Sequence, residues 1–145
     1  MNTGYFIDQL DQQFKQQDAI YHSAAVKCGL SDSAMWVLYV VSESEKDCTQ
    51  QELCRQCFFA KQTVNNAIAG LVKGGFMQLE VLPGTRNQKR ILLTAQGRAL
   101  AAKTTARIRG AELRAYDSLG EEELQACLRS MQKLTAALRS EIENL

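Results

Sequence analysis

The spacing of apolar residues along the chain predicts mostly helix. Over residues 7–28 they recur at steps of three, four and seven, which indicates a long amphipathic helix that ends at Gly29. Residues 34–41 are apolar on every side, so the helix that follows the N-cap candidate Ser31 is expected in the core. Residues 124–145 alternate with a seven-residue period, which predicts a final helix whose apolar seam needs a partner helix.

The middle of the chain predicts two short helices in close succession. Thr49 and Glu52 have the spacing of a capping box, so a third helix should begin near Gln50. The apolar stripe over residues 64–72 predicts a fourth helix, with Gly74-Gly75 as its left-handed stop.

A β-hairpin is predicted after these helices. Residues 76–82 alternate in part, Pro83-Gly84 favours a turn, and residues 90–93 are typical of the returning strand. Thr94 can then cap a helix that runs to about Tyr116, interrupted only by glycines.

The composition is that of an ordinary soluble globular chain of about one domain. Of its 145 residues 46% are hydrophobic and 23% charged, values that argue against disorder. The longest apolar run, residues 34–41, is far shorter than the roughly 18 to 20 residues of a transmembrane helix. Residues 1–10 lack the basic and apolar regions of a secretory signal. We therefore expect a cytoplasmic location and no membrane partner.

Charge is unevenly distributed along the chain. The net charge is only +1, yet residues 49–98 hold seven Lys and Arg against two acids, a local charge of +5, and the remainder carries −4. A basic excess on a helix, turn, helix and hairpin unit is typical of a surface that binds phosphates of nucleic acid. The plainer interpretation is a basic face that meets only solvent.

The start of the fourth helix is rich in groups that hydrogen-bond base edges. Gln62, Asn65 and Asn66 are suited to adenine, and Thr63 to several bases or the thymine methyl group. Lys61 and the N-terminal amides of the helix favour phosphates. This composition predicts a helix that enters the major groove of DNA.

Basic residues at the hairpin predict a second contact with DNA. Arg86 lies near the tip, where it is expected to reach the minor groove, whose negative potential attracts arginine. Lys89 and Arg90 are expected on backbone phosphates.

The five cysteines are an odd number in a chain without a signal sequence, so reduced thiols are expected rather than a disulfide framework. Cys54 and Cys57 form a C-x-x-C pair, which leaves a thiol redox protein as an alternative function. Cys28 and Cys127 are further candidates for redox switches. The ligand types of a zinc site occur, without a recognised paired spacing, in Cys48, Cys54, Cys57 and His22. No metal is predicted.

The sequence contains no motif of an enzyme. H-E-x-x-H, G-x-S-x-G and a Gly-rich phosphate loop are all missing, and the chain has a single His. We therefore predict neither catalysis nor a cofactor.

Three strings, residues 49–53, 61–76 and 91–97, resemble the MarR family of winged helix-turn-helix transcriptional regulators. The resemblance covers essentially the whole chain. It implies a mainly α fold with a small β-hairpin wing, in the α+β class, formed by residues 1–145 as a single MarR-like chain. Two departures from the family pattern are an acid-free wing segment over residues 85–90 and the absence of an arginine near Asn66.

The resemblance also implies an organisation of the chain. Residues 31–98 would form the winged helix-turn-helix DNA-binding region, and residues 1–30 and 99–145 the helices of a homodimer. The function implied is sequence-specific binding of double-stranded DNA at a palindromic operator, with repression favoured and release by a small-molecule or thiol signal. A winged-helix module that binds proteins without DNA is the alternative. Expected DNA contacts are Thr49, Gln50, Lys61, Gln62, Thr63, Asn65, Asn66, Lys73, Arg86, Lys89 and Arg90.

Similar family members bind small phenolic or anionic compounds in a crevice between the dimerisation helices and the winged unit. Candidates for such an effector site are His22, Trp36 and Tyr39, because aromatic and imidazole groups can enclose and orient a ligand. The plainer interpretation is that Trp36 and Tyr39 belong to the core and that His22 is structural or at the surface.

Overall fold

The computed structural model describes residues 1–57 and 59–145. The described chain is mostly helical with one small antiparallel sheet, as the apolar spacing predicts. Its internal contacts separate two compact units, Met1–Arg107 and Ile108–Leu145. The first unit contains the sheet and most of the buried residues.

Apart from the helix after Thr94, the predicted helices and the hairpin are confirmed, and one short strand is new. In chain order the elements are α1 (Thr3–Cys28), α2 (Asp32–Glu43), β1 (Cys48–Thr49), α3 (Gln50–Cys57), α4 (Lys61–Lys73), β2 (Met77–Val81), β3 (Lys89–Leu93), α5 (Ala95–Lys103), α6 (Thr105–Asp117) and α7 (Glu121–Glu143). The unpredicted strand is β1, whose two residues are too short for a periodic pattern.

Side-chain caps begin two of the helices where the sequence predicts them. The N–H of Ala34 donates to Ser31 Oγ at 3.1 Å, and the N–H of Gly97 donates to Thr94 Oγ1 at 3.0 Å. Each cap satisfies a backbone donor that the first turn of a helix leaves without a partner. The starts of α2 and α5 are therefore set by local chemistry.

Glycines in the left-handed region end α1 and α4. Gly29 has φ 70° and Gly75 has φ 82°. The prediction that Gly74-Gly75 stops α4 is confirmed, although Gly74 itself keeps helical dihedrals and only Gly75 turns left-handed. The N–H of Phe76 then donates to the carbonyl of Leu71 at 2.9 Å, which closes the C-terminal cap.

The predicted single helix from Thr94 to about Tyr116 is wrong, because the chain breaks at Thr104 between α5 and α6. Thr104 has φ −124° and ψ −84°, outside the helical region. Its hydroxyl donates to the carbonyl of Leu100 at 2.7 Å. Adjacent threonines stiffen the side chains and compete with the backbone for helix hydrogen bonds, which explains a break here rather than at a glycine.

The three strands pair in the order β1, β3, β2, all antiparallel. Ile91 on β3 lies opposite Leu79 on one side and Cys48 on the other. The middle strand β3 therefore ties the hairpin to the segment that precedes α3.

α2 lies in the core, as its apolar run predicts, with Val37 and Leu38 fully buried. They pack in one cluster with α3, α4 and the sheet, through Leu53, Ile68 and Met77 among others. No single helix in the described ranges is long and apolar enough to cross a membrane. Only α1 and α2 taken together meet the length and composition test, and a bend of 86° separates them.

Candidate nucleic-acid interface

A reciprocal cap fixes the start of α3 at the edge of the sheet. The N–H of Glu52 donates to Thr49 Oγ1 at 3.2 Å, and the N–H of Thr49 donates to Glu52 Oε2 at 3.4 Å, so the predicted capping box is confirmed. Thr49 also pairs with Arg90 of β3. The cap therefore uses the Glu52 carboxylate and sets α3 next to the wing.

α4 presents one face to the core and the opposite face to solvent. Val64, Ile68 and Leu71 are buried, whereas Gln62 and Asn66 are exposed. Gln62 Nε2 donates to Asn66 Oδ1 at 3.2 Å, so the two amides form a pair one turn apart.

Basic residues mark both ends of that exposed face. Lys61 and Lys73 are the first and last residues of α4, both exposed and about 18 Å apart along the helix axis. Thr63, in contrast, is half-buried beside the core face. Four of the six predicted α4 contacts are thus exposed, namely Lys61, Gln62, Asn66 and Lys73.

A groove of about 550 Å³ lies between α3, the start of α4 and the wing. Five of the predicted contacts line it, namely Thr49, Gln50, Lys61, Asn65 and Lys89. Sequence reasoning missed four polar residues that line it as well: Gln51, Arg55, Asn87 and Gln88. Gln51 and Arg55 are four residues apart on α3 and share a face, a spacing that could have identified them.

A tight turn shapes the tip of the wing. The carbonyl of Leu82 accepts from both the N–H and the hydroxyl of Thr85, at 3.2 and 2.8 Å. Gly84 has φ 78°, which the third position of a type II turn requires after proline. Arg86 follows this turn and is exposed. The predicted Pro-Gly turn thus presents Arg86 at the tip.

Arg90 is held by two carboxylates rather than left free. Its guanidinium donates to Glu80 at 2.9 and 3.3 Å and to Asp47 at 2.8 Å. The hydrogen bonds and charge of Glu80, with a smaller contribution from Asp47, raise the pKa of Arg90. The acid that segment 85–90 lacks is thus supplied from β2 and from the loop before β1. A phosphate contact by Arg90 stays a prediction, since its donors already have partners.

The cations of α3, of α4 and of the wing other than Arg90 have no acidic partner among the described residues. Both acids of residues 49–98 are engaged, Glu52 in the cap and Glu80 with Arg90. Five cations form no ion pair with any residue that the structure describes: Arg55, Lys61, Lys73, Arg86 and Lys89. The groove, the exposed face of α4 and the wing tip therefore form one basic surface.

The cysteines do not form a redox pair in this structure. All five are free thiols. Burial, and then the neighbouring Cys54, raises the pKa of the Cys57 thiol, which is the reverse of what a redox nucleophile needs. Burial also raises the pKa of Cys48 to about 11. The described residues contain no group of three or more metal-ligating side chains, so the zinc set with His22 is not brought together.

The effector candidates lie where α1 meets α2. Trp36 is half-buried between two tyrosines, with ring centroids 4.9 Å from Tyr21 and 5.4 Å from Tyr39. His22 is exposed, and its Nδ1 lies 2.9 Å from an Asp32 oxygen. Tyr21 was missed as a candidate, although it lies on the apolar stripe of α1. A ligand role for these residues stays a prediction.

Two helices carry exposed apolar side chains. No residue of α7 is buried, and Leu138 and Ile142 on its predicted seam are 49% and 59% exposed. Near the start of α1, Phe6 and Ile7 are 52% and 64% exposed. These exposed faces have the composition of contact surfaces rather than of solvated helices.

Comparison with known proteins gives one matching family model and a shared fold. A family model described as the MarR family matches residues 29–86. None of the curated proteins matches the sequence. A MarR family regulator from Neisseria meningitidis superimposes with a TM-score of 0.83, at 20% identity and with 99% of each chain covered.

Two further solved structures have the same fold. MepR from S. aureus, in its DNA-binding conformation, gives a TM-score of 0.72 at 19% identity and covers 95% of this chain and 99% of its own. NadR in complex with 4-hydroxyphenylacetate gives 0.70 at 15% identity, with 88% of this chain and 89% of its own covered. At these identities the likeness establishes the fold, and the expected winged helix-turn-helix architecture is confirmed.

Proposed function

We propose that this chain is a winged-helix regulator of the MarR family that binds double-stranded DNA as a homodimer at a palindromic operator and represses transcription there. In support, a MarR family model matches residues 29–86, and a solved MarR family regulator shares the fold. The observation that carries the proposal is the basic surface, where five cations have no acidic partner in the described chain while both nearby acids are engaged. Lysine and arginine side chains on such a surface neutralise DNA phosphates and release the counterions condensed on the DNA, which favours binding.

The exposed face of α4 suits the major groove. Gln62 and Asn66 point away from the buried face, and their amides can pair with base edges. Asn65 lines the groove beside the wing. Lys61 and Lys73 at the two ends of the helix would contact phosphates, and Arg86 at the wing tip would enter the minor groove.

The exposed apolar faces of the helices support the homodimer. The seam of α7 exposes leucines and isoleucine at a seven-residue period, which is the pattern of a helix that packs on another helix. A second copy offers the same face and buries both. Two winged units held in this way would meet half-sites about 34 Å apart, one turn of DNA.

An effector would act by shifting the dimer between conformations. The solved NadR structure holds 4-hydroxyphenylacetate, a phenolic carboxylate. In this chain the rings of Tyr21, Trp36 and Tyr39 supply an aromatic surface of the kind that takes a phenol. A ligand releases DNA only if it binds better to a conformation whose half-site spacing no longer fits.

The test combines selection of a duplex with variants of the basic surface. We expect random-oligonucleotide selection to enrich a palindrome. Fluorescence anisotropy should then show that Arg86→Ala weakens binding to every duplex, while Asn65→Ala relaxes preference at one position per half-site, at a cost of about 1–3 kcal/mol. Lys103→Ala, an exposed lysine outside residues 49–98, is the matched control and should bind as the unmodified chain does.

The opposite outcomes separate the alternatives. If no duplex is enriched and Arg86→Ala changes nothing, the basic surface does not bind DNA, and a protein-interaction module is the better interpretation. If a palindrome is enriched but Gln62→Ala and Asn65→Ala leave its base preference unchanged, the orientation assigned to α4 is wrong.

A further inference from the structure

One stripe of α4 is exposed along the whole helix. After the first residue, its exposed positions are Gln62, Asn66, Ala69, Gly70 and Lys73. Ala69 and Gly70 have no side-chain group that forms hydrogen bonds, and Lys73 can only donate them. Gln62 and Asn66 are therefore the two side chains of this stripe that can both donate to and accept from the edge of a base.

The amides of Gln62 and Asn66 form a hydrogen bond with a defined direction. Gln62 Nε2 donates to Asn66 Oδ1 at 3.2 Å, across one turn of α4. An amide nitrogen carries two hydrogens, so Gln62 keeps one N–H donor and its carbonyl oxygen for other partners. Adenine in the major groove requires a donor for its N7 and an acceptor for its N6 amino group. Gln62 can therefore bind adenine through both groups while it remains bonded to Asn66.

Asn66 is less suited to read a base by itself. A bidentate contact with adenine uses the oxygen and the nitrogen of one amide. The oxygen of Asn66 already accepts from Gln62. What Asn66 supplies instead is order, because a free glutamine side chain samples many rotamers and loses them when it binds. The hydrogen bond limits the orientations of the Gln62 amide before DNA is present.

We propose that Gln62 reads one adenine in each half-site and that Asn66 is a positioning residue that orients the Gln62 amide, so that two side chains specify a single A·T pair. Gln62 Oε1 then accepts from adenine N6. Its Nε2 donates one hydrogen to adenine N7 and the other to Asn66 Oδ1. This reading of adenine rests on the proposed function, since it requires α4 in the major groove.

The first experiment measures base preference on DNA. The probe is the palindrome enriched by random-oligonucleotide selection, with one base pair at a time replaced symmetrically in both half-sites. Preference is a ratio of two affinities of the same variant, so incomplete folding of a variant cancels. We expect Gln62→Ala to reduce the preference for one A·T pair about tenfold per half-site. Asn66→Ala should reduce it at the same pair about threefold, and the double variant should lose no more than Gln62→Ala does.

Three further variants separate positioning from direct contact. Asn66→Asp keeps an acceptor one turn from Gln62, so the preference should be retained, although the added negative charge weakens binding to every duplex. Gln62→Glu has no donor for adenine N7 but can accept from cytosine N4, so the preferred base should change from adenine to cytosine. Asn65→Ala, the matched control, removes the neighbouring amide that lines the groove and should leave this position unaffected.

The second experiment tests the amide pair without DNA. The heteronuclear NOE of the Gln62 side-chain Nε2 reports its order on the ps–ns timescale in the full chain. We expect a lower value in Asn66→Ala than in the unmodified chain, and an unchanged value in Asn66→Asp and Asn65→Ala. The same value in Asn66→Ala as in the unmodified chain would show that the two amides move independently, and it would overturn the positioning role.

The outcomes distinguish this proposal from the proposed function. If the palindrome is bound and Arg86→Ala weakens binding, but Gln62→Ala and Asn66→Ala relax two different base pairs, the function stands and the paired reading is overturned. A preference for a base other than adenine at the position that Gln62→Ala relaxes would overturn the base assignment. If no duplex is bound while the NOE result holds, the proposed function and the adenine reading both fail, and only the orientation of Gln62 by Asn66 stands.

Discussion

α4 and α7 each carry an apolar stripe, but only the stripe of α4 is buried. α4 spans Lys61–Lys73 and buries Val64, Ala67, Ile68 and Leu71 against its own unit. α7 spans Glu121–Glu143, nearly twice that length, and buries no residue. The core around α4 is therefore formed by residues of one chain, whereas the apolar face of α7 is exposed.

The difference extends to charge. Around α4 the acids are used locally, in a helix cap and in the Glu80–Arg90 pair, and five cations remain unpaired in the described chain. α7 begins with Glu121, Glu122 and Glu123, which suit the positive end of its helix dipole. The first region therefore exposes unpaired positive charge, and the second exposes an apolar face and begins with acidic residues.

The largest expected effect is the loss of stability when a buried leucine, rather than an exposed one, is replaced by alanine. Leu38→Ala removes a fully buried side chain from the core, and we expect it to lower the free energy of unfolding by about 2–5 kcal/mol. Leu119→Ala, at a position 50% exposed, should cost far less. Urea denaturation of both variants measures the difference. Equal losses would mean that the winged region does not hold the core assigned to it.

The second-largest effect is expected on dimerisation when the apolar seam of α7 is changed. Leu138→Glu places a charge on the apolar face, and we expect it to weaken dimerisation by about 2 kcal/mol or more. Ser140→Glu introduces the same charge on the opposite side of the helix and should leave the dimer intact. Sedimentation equilibrium distinguishes them. A monomeric unmodified chain, or equal effects of both substitutions, would contradict the dimer.

A smaller effect is expected at the cap of α5. Thr94 accepts from the N–H of Gly97 and donates to the carbonyl of Gly75 at 2.6 Å. Thr94→Ala should lower the free energy of unfolding by about 1 kcal/mol. Thr94→Ser keeps both hydrogen bonds and should recover most of the loss. If serine and alanine behave alike, the hydroxyl does not stabilise the junction between wing and α5.

The smallest effect concerns pH. Burial, then the charges of Glu52 and Cys57, raises the folded-state pKa of Cys48 from 9.0 to about 11. The stability linked to this thiol is present below its unfolded pKa of 9.0 and is lost as pH rises towards about 11. Cys48→Ala should therefore flatten the decline in stability over that range, and Cys127→Ala should not. An unchanged pH profile in Cys48→Ala would show that the thiol ionises freely in the folded chain.

Local chemistry made much of the fold predictable. The caps at Ser31, Thr49 and Thr94 each join residues three apart, so sequence alone contains both partners. The periodic stripes of α1, α4 and α7 needed only the helical repeat. The break at Thr104 was not predicted, because a threonine pair interrupts a helix less regularly than a glycine or proline does.

The site was less predictable because its contacts join distant segments. Arg90 meets Asp47 across 43 residues and Glu80 across ten, so no local pattern indicates that its guanidinium is engaged. The groove is likewise lined by residues far apart in sequence, such as Arg55 of α3 and Lys89 of β3. The residue types predict the basic surface, but only the tertiary structure shows which of its cations are paired with acids and which are not.

The salt dependence of duplex binding tests most directly whether the basic surface binds DNA. We expect log Kd for the selected duplex to change linearly with log salt concentration, by about 0.9 for each phosphate contacted. Arg86→Ala should reduce the slope by about two, because a dimer carries two copies of that arginine. A slope near zero for the unmodified chain, or one that Arg86→Ala leaves unchanged, would contradict the assignment of this surface to DNA.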